Sequence, residues 1–294
     1  MAENRSIDRR PTDEVFSHLA HDVRVAILEA MLELRGEKPT FSDLYDRVDV
    51  DDSGQFNYHL EKLTGTFLRR VDGQYELTHA GKKVVGAILA GTYTADVTQD
   101  STPVDERCPT CGRSLRLRYD HGHAVFECSA CEYESGKYYF PPGSVEQFDP
   151  GELPAAVFRW RRHFLKGVFA GFCQTCAGRM RGTLVRGERP DRPAEFPIHG
   201  QFECSRCGEF GTAKVTTIAR YHPGVEGFFV DHGFDPTRVP WIRIRERLLE
   251  RSVAVNEEKP VQATVSFALA KEVVEAVIDA DASVSSVERR PSSP

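Results

Sequence analysis

No cysteine in this chain stands alone. All eight fall into four C-x-x-C pairs, Cys108/Cys111, Cys128/Cys131, Cys173/Cys176 and Cys204/Cys207. None is left over as a nucleophile, and none is an odd partner for a disulfide. Also missing are a G-x-S-x-G elbow, a P-loop, an H-E-x-x-H helix and a Rossmann glycine pattern, so an enzyme is not expected. No run of about 18 uncharged apolar residues occurs, which excludes a membrane-spanning helix. The opening stretch, Met1 to Pro11, is charged and has no apolar h-region. No secretory signal is read there, and the cytoplasm is the expected compartment. Lysine is scarce, with about three arginines to each lysine. That bias fits a high-GC or halophilic genome and says little about function.

What is present is an ordinary globular composition, 40% hydrophobic and 28% charged over 294 residues. That length is comfortable for two or three domains. Eight cysteines in a secreted chain would suggest four disulfides. In a reducing compartment the same spacing points to metal.

Thr12 or Asp13 is expected to cap a helix over Glu14–Leu34, with a break near His21-Asp22. A short helix begins at Thr40 or Ser42. The polar turn Asp49–Gly54 leads to a third helix, Gln55 to about Thr64, which buries Phe56, Leu60 and Leu63. Two short apolar runs flank Asp72-Gly73, a hairpin signal because both turn residues tolerate positive φ. A further helix covers Thr78 to Leu89. Helix, helix, turn, helix, hairpin is the order of a winged helix-turn-helix.

In that motif the third helix offers its solvent face to the major groove. Ser53, Gln55, Asn57, Tyr58, His59 and Lys62 are the candidates for phosphates and base edges. Arg69 and Arg70 flank the wing and can reach the adjacent backbone or minor groove. The alternative is a protein-binding module. Met1–Ala95 carries twelve basic and sixteen acidic residues, and the whole chain has a net charge of -6. Both balances count against nucleic acid, although binding needs only a local basic face.

Residues 93 to 107 read as a polar linker. Beyond it, sixteen residues separate Cys111 from Cys128, within the usual zinc-ribbon range. The alternating runs Leu115–Tyr119 and His123–Glu127 supply its strands. Cys173, Cys176, Cys204 and Cys207 repeat the plan over a longer interval, and Phe126–Glu132 matches Phe202–Gly208 closely. The similarity suggests duplication, with one zinc per four-cysteine set, two in all. Four thiolates leave no open position, so both zincs are read as structural, supplying folding energy to modules with little core. The alternatives are one zinc plus a degraded or redox-active pair, or iron in a four-thiolate site. His121, His123 and His199 are read as solvated loop residues rather than substitute ligands. Arg159–Arg192 holds nine basic and two acidic residues. It is a second nucleic-acid surface or, the preferred reading, part of an amphipathic helix with a Trp160/Phe164 stripe and solvated arginines.

The C-terminal part is expected to be mainly β, from Trp241–Arg245 onward, after a short helix near Pro223–His232. Val273–Ala282 is open between helix and strand, and the tail after Glu288 is read as disordered. The fold class is therefore α+β and multidomain. It comprises a winged helix-turn-helix at 1–95, a first zinc ribbon at 96–145, a helix plus second ribbon at 146–220, and a mainly β region at 221–294.

The segment Phe16–Leu32 resembles the opening helices of ArsR-type winged-helix regulators, with its leucine-alanine start, polar break, arginine and Ile-Leu pair. Phe56-Asn57-Tyr58-His59-Leu60-Glu61-Lys62-Leu63 is similar to their recognition helix. Leu77-Thr78-His79-Ala80-Gly81 also fits. The chain as a whole looks most like the haloarchaeal branch, which joins such a domain to a cysteine-containing C-terminal region. That resemblance implies a homodimer that binds a pseudo-palindromic operator on double-stranded DNA and regulates transcription. Dimerisation would use the first helix and the Thr78–Leu89 helix, whose Val84, Val85, Ile88 and Leu89 exceed what the small domain needs. The family's metal-sensing cysteines are absent from Leu44–Leu63. The rival is a factor resembling archaeal transcription factor E, a winged helix followed by a zinc ribbon, with RNA polymerase as partner. A third reading, compatible with the first, makes the C-terminal region the sensor of an unidentified effector.

Overall fold

The break at His21-Asp22 is a helix cap. α1 (Thr12–Ser17) stops short of it, and His21, extended at φ -159°, accepts the Val23 N–H on Nδ1 to open α2 (Asp22–Glu33). One expected helix is therefore two. Pro11, rather than Thr12 or Asp13, precedes α1, with no side-chain cap. The computed structural model describes residues 9–34, 36–187, 198–239, 244, 248, 250–256 and 260–292. The molecule is α+β, with several small antiparallel sheets. It divides into two units, Met1–Asp96 with Pro141–Ser144, and Val97–Phe140 with Val145–Pro294.

In the first unit a capping box opens α3 (Phe41–Tyr45): the Thr40 hydroxyl accepts the Asp43 N–H while Asp43 accepts the Thr40 N–H at 2.8 Å. α4 (Ser53–Leu63) starts two residues earlier than expected, because the Asp52 carboxylate accepts the Gln55 N–H at 2.7 Å. β1 (Leu68–Val71) and β2 (Gln74–Leu77) pair antiparallel through Asp72 and Gly73, at φ 51° and 80°. α5 (His79–Leu89) is capped by the Thr78 hydroxyl, which accepts the Gly81 N–H at 3.1 Å. Ile27, Leu28, Leu44, Phe56, Leu60, Leu63 and Leu68 form the centre of one core. Phe56 meets Phe41 and Tyr45 edge-on. Truncating such a buried phenylalanine to alanine costs about 3–5 kcal/mol. Val85 lies in this core as well, so it is not surplus to the domain; Leu89 of the same helix is exposed.

The second unit opens with β3 (Thr98–Arg107), β4 (Ser114–Asp120), β5 (His123–Cys128) and β6 (Tyr138–Tyr139), one antiparallel sheet in that order. β3 occupies most of the stretch expected to be a linker, because Val104 can pack on Leu115 and Leu117 and its backbone completes the sheet edge. Along β4 the side chains alternate. Leu115, Leu117 and Tyr119 face inward, while Arg118 reaches Glu127 of β5 at 3.0 Å on the other face. After the single turn α6 (Pro142–Val145) comes α7 (Leu153–Phe169). Its first turns bring Leu153, Ala156 and Val157 to the core of this sheet.

The last turns of α7 bring Phe164, Val168 and Phe169 to a different core. That core is shared by the sheet β7 (Met180–Arg186), β8 (Ile198–Cys204) and β9 (Phe210–Lys214), by α8 (Val215–Arg220) and α9 (Pro223–Asp231), and by a four-stranded meander. The meander is β10 (Glu250–Asn256), β11 (Gln262–Leu269), β12 (Glu272–Ile278) and β13 (Val284–Pro291). The core of the β3–β6 sheet holds both Val145 and Leu153, and the core shared with the meander holds residues on both sides of position 220. Of Val273–Ala282, the part up to Ile278 is strand, where Val274, Ala276 and Ile278 face inward and pair with β11, and the rest is the turn into β13. The tail is ordered to Pro291, since Arg290 reaches Glu275 at 3.0 Å and Arg289 reaches Asp231. The strand expected at Trp241–Arg245 lies outside the described residues except Ile244, which is buried. No helix is long and apolar enough to cross a membrane among the described residues.

Candidate functional site

Each C-x-x-C pair closes a tight turn with the same hydrogen bond. The N–H of Cys108 donates to the Arg113 carbonyl at 2.7 Å, Cys128 to Tyr133 at 2.9 Å, Cys173 to Gly178 at 2.9 Å and Cys204 to Glu209 at 2.8 Å. A second N–H turns inward to sulfur: Thr110 to Cys108 and Ala130 to Cys128 at 3.4 Å, Gly178 to Cys176 at 3.3 Å, Arg206 to Cys204 at 3.4 Å. Such donors stabilise thiolate over thiol. The residue after the second cysteine takes positive φ in three of the turns, at Gly112, Ala177 and Gly208. Alanine at 177 holds a conformation that glycine adopts more easily.

The turns meet in pairs. Cys108 Sγ lies 3.6 Å from Cys131 and Cys111 lies 3.5 Å from Cys128. In the second set Cys173 lies 3.6 Å from Cys207 and Cys176 lies 3.5 Å from Cys204. All four sulfurs of each set fall within 4.8 Å of one another. A tetrahedral ion with metal–sulfur bonds of about 2.3 Å needs sulfurs about 3.8 Å apart. Both sets can therefore hold a metal ion, and the donors suit a thiophilic one. Without a cation among them the four sulfurs of a set cannot all ionise near neutrality. The N–H groups of Cys207 and Arg206 hold Cys204 down to about 6. Cys207 accepts from the Glu209 N–H, yet the Cys176 sulfur and burial push it up to about 12. Gly178 is the neighbour that the spacing alone does not reveal. A Cβ there would lie 3.0 Å from the sulfurs of both Cys176 and Cys204.

The three nearby histidines divide. His121 is exposed in the β4–β5 turn at φ 45°, and His123 bonds the His121 carbonyl. His199 is not a solvated loop residue: it sits on β8, 2% exposed, with Nδ1 3.3 Å from the Gly187 carbonyl. It lies on the strand face opposite Ile198 and Phe202, beside Gln201, whose Nε2 is 3.4 Å from its own Nε2.

α4 carries a wholly buried face of Phe56, Leu60 and Leu63 and an exposed face of Ser53, Gln55, Asn57, Tyr58 and Lys62. Lys62 Nζ lies 5.5 Å from the Tyr58 ring centre, and Asn57 donates to Glu61 at 3.2 Å. His59 does not belong to the exposed set. It is 4% exposed, because the N-cap His21 covers it with ring centres 4.0 Å apart. On the hairpin Arg69 is paired with Glu76 at 2.8 Å, and Arg70 lies over the Tyr75 ring.

The basic helix α7 is more engaged than simple solvation implies. Arg162 and Lys166 converge on Glu226 of α9, the latter at 2.7 Å. Arg161 lies 4.3 Å from the Tyr138 ring centre. Trp160 is half-exposed against Phe140, while Phe164 reaches the second core. The rest of the basic segment, from residue 188 to Arg192, lies outside the described residues.

No curated relative and no solved structure matches this chain. Residues 12–88, which hold α1 to α4, the hairpin and all but the last residue of α5, match the model of a domain of unknown function, DUF7347. A second model covers residues 105–284, with both four-cysteine clusters, both cores of the second unit and well over half of the sequence. The chain thus belongs to the family described as domain of unknown function DUF7351.

Proposed function

We propose that this chain is a sequence-specific, DNA-binding transcription regulator that works as a homodimer, with two structural zinc ribbons in its second unit. In this reading the first unit is a winged helix-turn-helix. The observation that carries it is the division of α4. Its apolar residues are spent inward, and Gln55, Asn57 and Lys62 stand together on the open side. Gln and Asn suit adenine edges, Lys suits guanine or phosphate, and Ser53 suits a phosphate near the helix start. Phe16 on α1 and Leu89 on α5 are large exposed apolar side chains, as a dimer face built from those helices requires.

Each four-cysteine set would hold zinc through all four of its thiolates. The ion supplies folding energy there rather than an open coordination position.

The pairing of Arg69 with Glu76 favours a second reading, in which the unit docks on RNA polymerase, since it removes one cation from the hairpin. One experiment separates the two. Purified protein is incubated with fragmented genomic DNA of its source at moderate and high salt, and the retained fragments are sequenced. A shared inverted repeat, weakened by Gln55→Ala with Asn57→Ala, is expected. Retention without sequence preference, or no retention, would overturn operator binding.

A further inference from the structure

The second unit has a partly open cavity of about 210 Å³ lined by the β3–β6 sheet, α7, α8, residues 236–239, Ile244 and Arg251. Six arginines line it, Arg159, Arg161, Arg162, Arg220, Arg238 and Arg251, and Lys214 adds a seventh cation. Among the described residues no aspartate or glutamate lines it. Three of the arginines come from one helix, α7. Glu226 answers Arg162 and Asp235 answers Arg238 from outside the lining. No carboxylate among the described residues pairs with Arg159 or Arg161, and Arg161 lies against the Tyr138 ring.

Arg220 is only 8% exposed and lies 4.9 Å from the Tyr221 ring centre. Burial pulls its pKa below the ordinary arginine value; the Tyr221 phenol beside it acts the other way, and the charge of Arg161 adds to the lowering. Gathering like charges at a partly desolvated place is unfavourable, more so as the local dielectric falls. A ligand that brings negative charge relieves that cost. Guanidinium groups meet phosphate and carboxylate through paired N–H donors. Ser135, Thr216 and Thr217 add hydroxyls to the same walls. Donors on several walls of one cavity suit a tetrahedral group with three free oxygens better than a planar one. Phe126 and Phe158, stacked at 4.5 Å between ring centres, give the cavity an apolar wall.

We propose that this cavity binds a small phosphate-bearing polyanion with at least two negative charges. The volume admits a diphosphate or a compact phosphorylated molecule and excludes a nucleic-acid duplex. The site thus stands whether or not the first unit binds DNA.

The test is calorimetric titration of the full, metal-loaded chain with pyrophosphate, citrate and a short single-stranded oligonucleotide, at moderate and high sodium chloride. Saturable one-to-one binding of pyrophosphate that persists at high salt is expected. Arg159→Gln and Arg161→Gln lie on the cavity side of α7 without closing either core. Each should weaken binding about tenfold or more while the chain still melts in one cooperative transition as the unsubstituted protein does. Lys82→Gln, in the first unit, should leave binding as it was. Absence of saturable binding, or affinity unchanged by both arginine substitutions, would overturn the site. Citrate binding without pyrophosphate binding would overturn the phosphate assignment. Tighter binding of the oligonucleotide than of pyrophosphate, with the same loss in the variants, would replace the small polyanion by single-stranded nucleic acid.

Discussion

His21 and His59 face each other at 4.0 Å between ring centres, one capping α2 and the other buried on α4. Nδ1 of His59 is buried with no hydrogen-bond partner among the described residues. Burial lowers the pKa of His59, the charges of His21 and Arg24 lower it further, and only Asp22 opposes them. Tyr58 touches the ring edge-on. The unfolded chain therefore takes up a proton near pH 6.5 that the folded chain resists. This contribution to stability is complete above that pH and is lost as pH falls through it toward the lower folded-state value. The melting temperature of the first unit should drop between pH 7.5 and pH 5.5, and His59→Gln should flatten that dependence. An unchanged slope in the variant would remove His59 as its source.

Metal content gives a count. The purified protein should carry two equivalents of a thiophilic metal by elemental analysis, and Cys111→Ser or Cys207→Ser should each leave one. Gly178→Ala, which presses a methyl group toward the Cys176 and Cys204 sulfurs, should lower retention in the second cluster alone. Two equivalents surviving in a cysteine variant would mean that four thiols are not what holds the ion.

Two glycines of α5 make a matched pair. A Cβ on Gly81 would lie 2.1 Å from the Phe67 carbonyl oxygen, which accepts the Thr78 N–H, so Gly81→Ala should cost about 2 kcal/mol or more. Gly86 meets nothing within 4 Å, and Gly86→Ala should stabilise by about 0.5–1 kcal/mol through helix propensity. Calorimetric melting of both variants reads the contrast directly.

Much of the first unit was legible in the sequence because its signals are local. Thr40, Asp72-Gly73 and Thr78 act within three residues of themselves, as caps and a turn. The eight cysteines were equally legible, since C-x-x-C spacing fixes the bite of two sulfurs whatever surrounds them. The failures arose where distant partners decide. His59 looks exposed by helical spacing until His21, 38 positions earlier, covers it. β3 reads as a polar linker because only its pairing with β4 gives it a buried side. Arg289 and Arg290 look like a loose tail until Asp231 and Glu275 meet them. The arginines around the cavity come from four separated stretches, and no window along the chain contains them all.

Glu226 answers both Arg162 and Lys166 with a side chain 12% exposed. Replacing it by glutamine removes the carboxylate that both cations contact, leaves the more distant Asp235 near Arg162, and should destabilise the second unit by about 2–3 kcal/mol. Glu226→Asp should recover part of the loss. A melting temperature unchanged in both variants would mean that solvent already screens the cluster.

α7 spans 17 residues, about 25 Å of helix, with its two ends rooted in different cores. Cysteines of the first set border one of these cores and cysteines of the second set the other. One helix thus contributes side chains to both cores, and disorder in either reaches the other through it. Stripping the first ion should therefore loosen the grip on the second, so that chelation proceeds as a paired departure instead of two unrelated events.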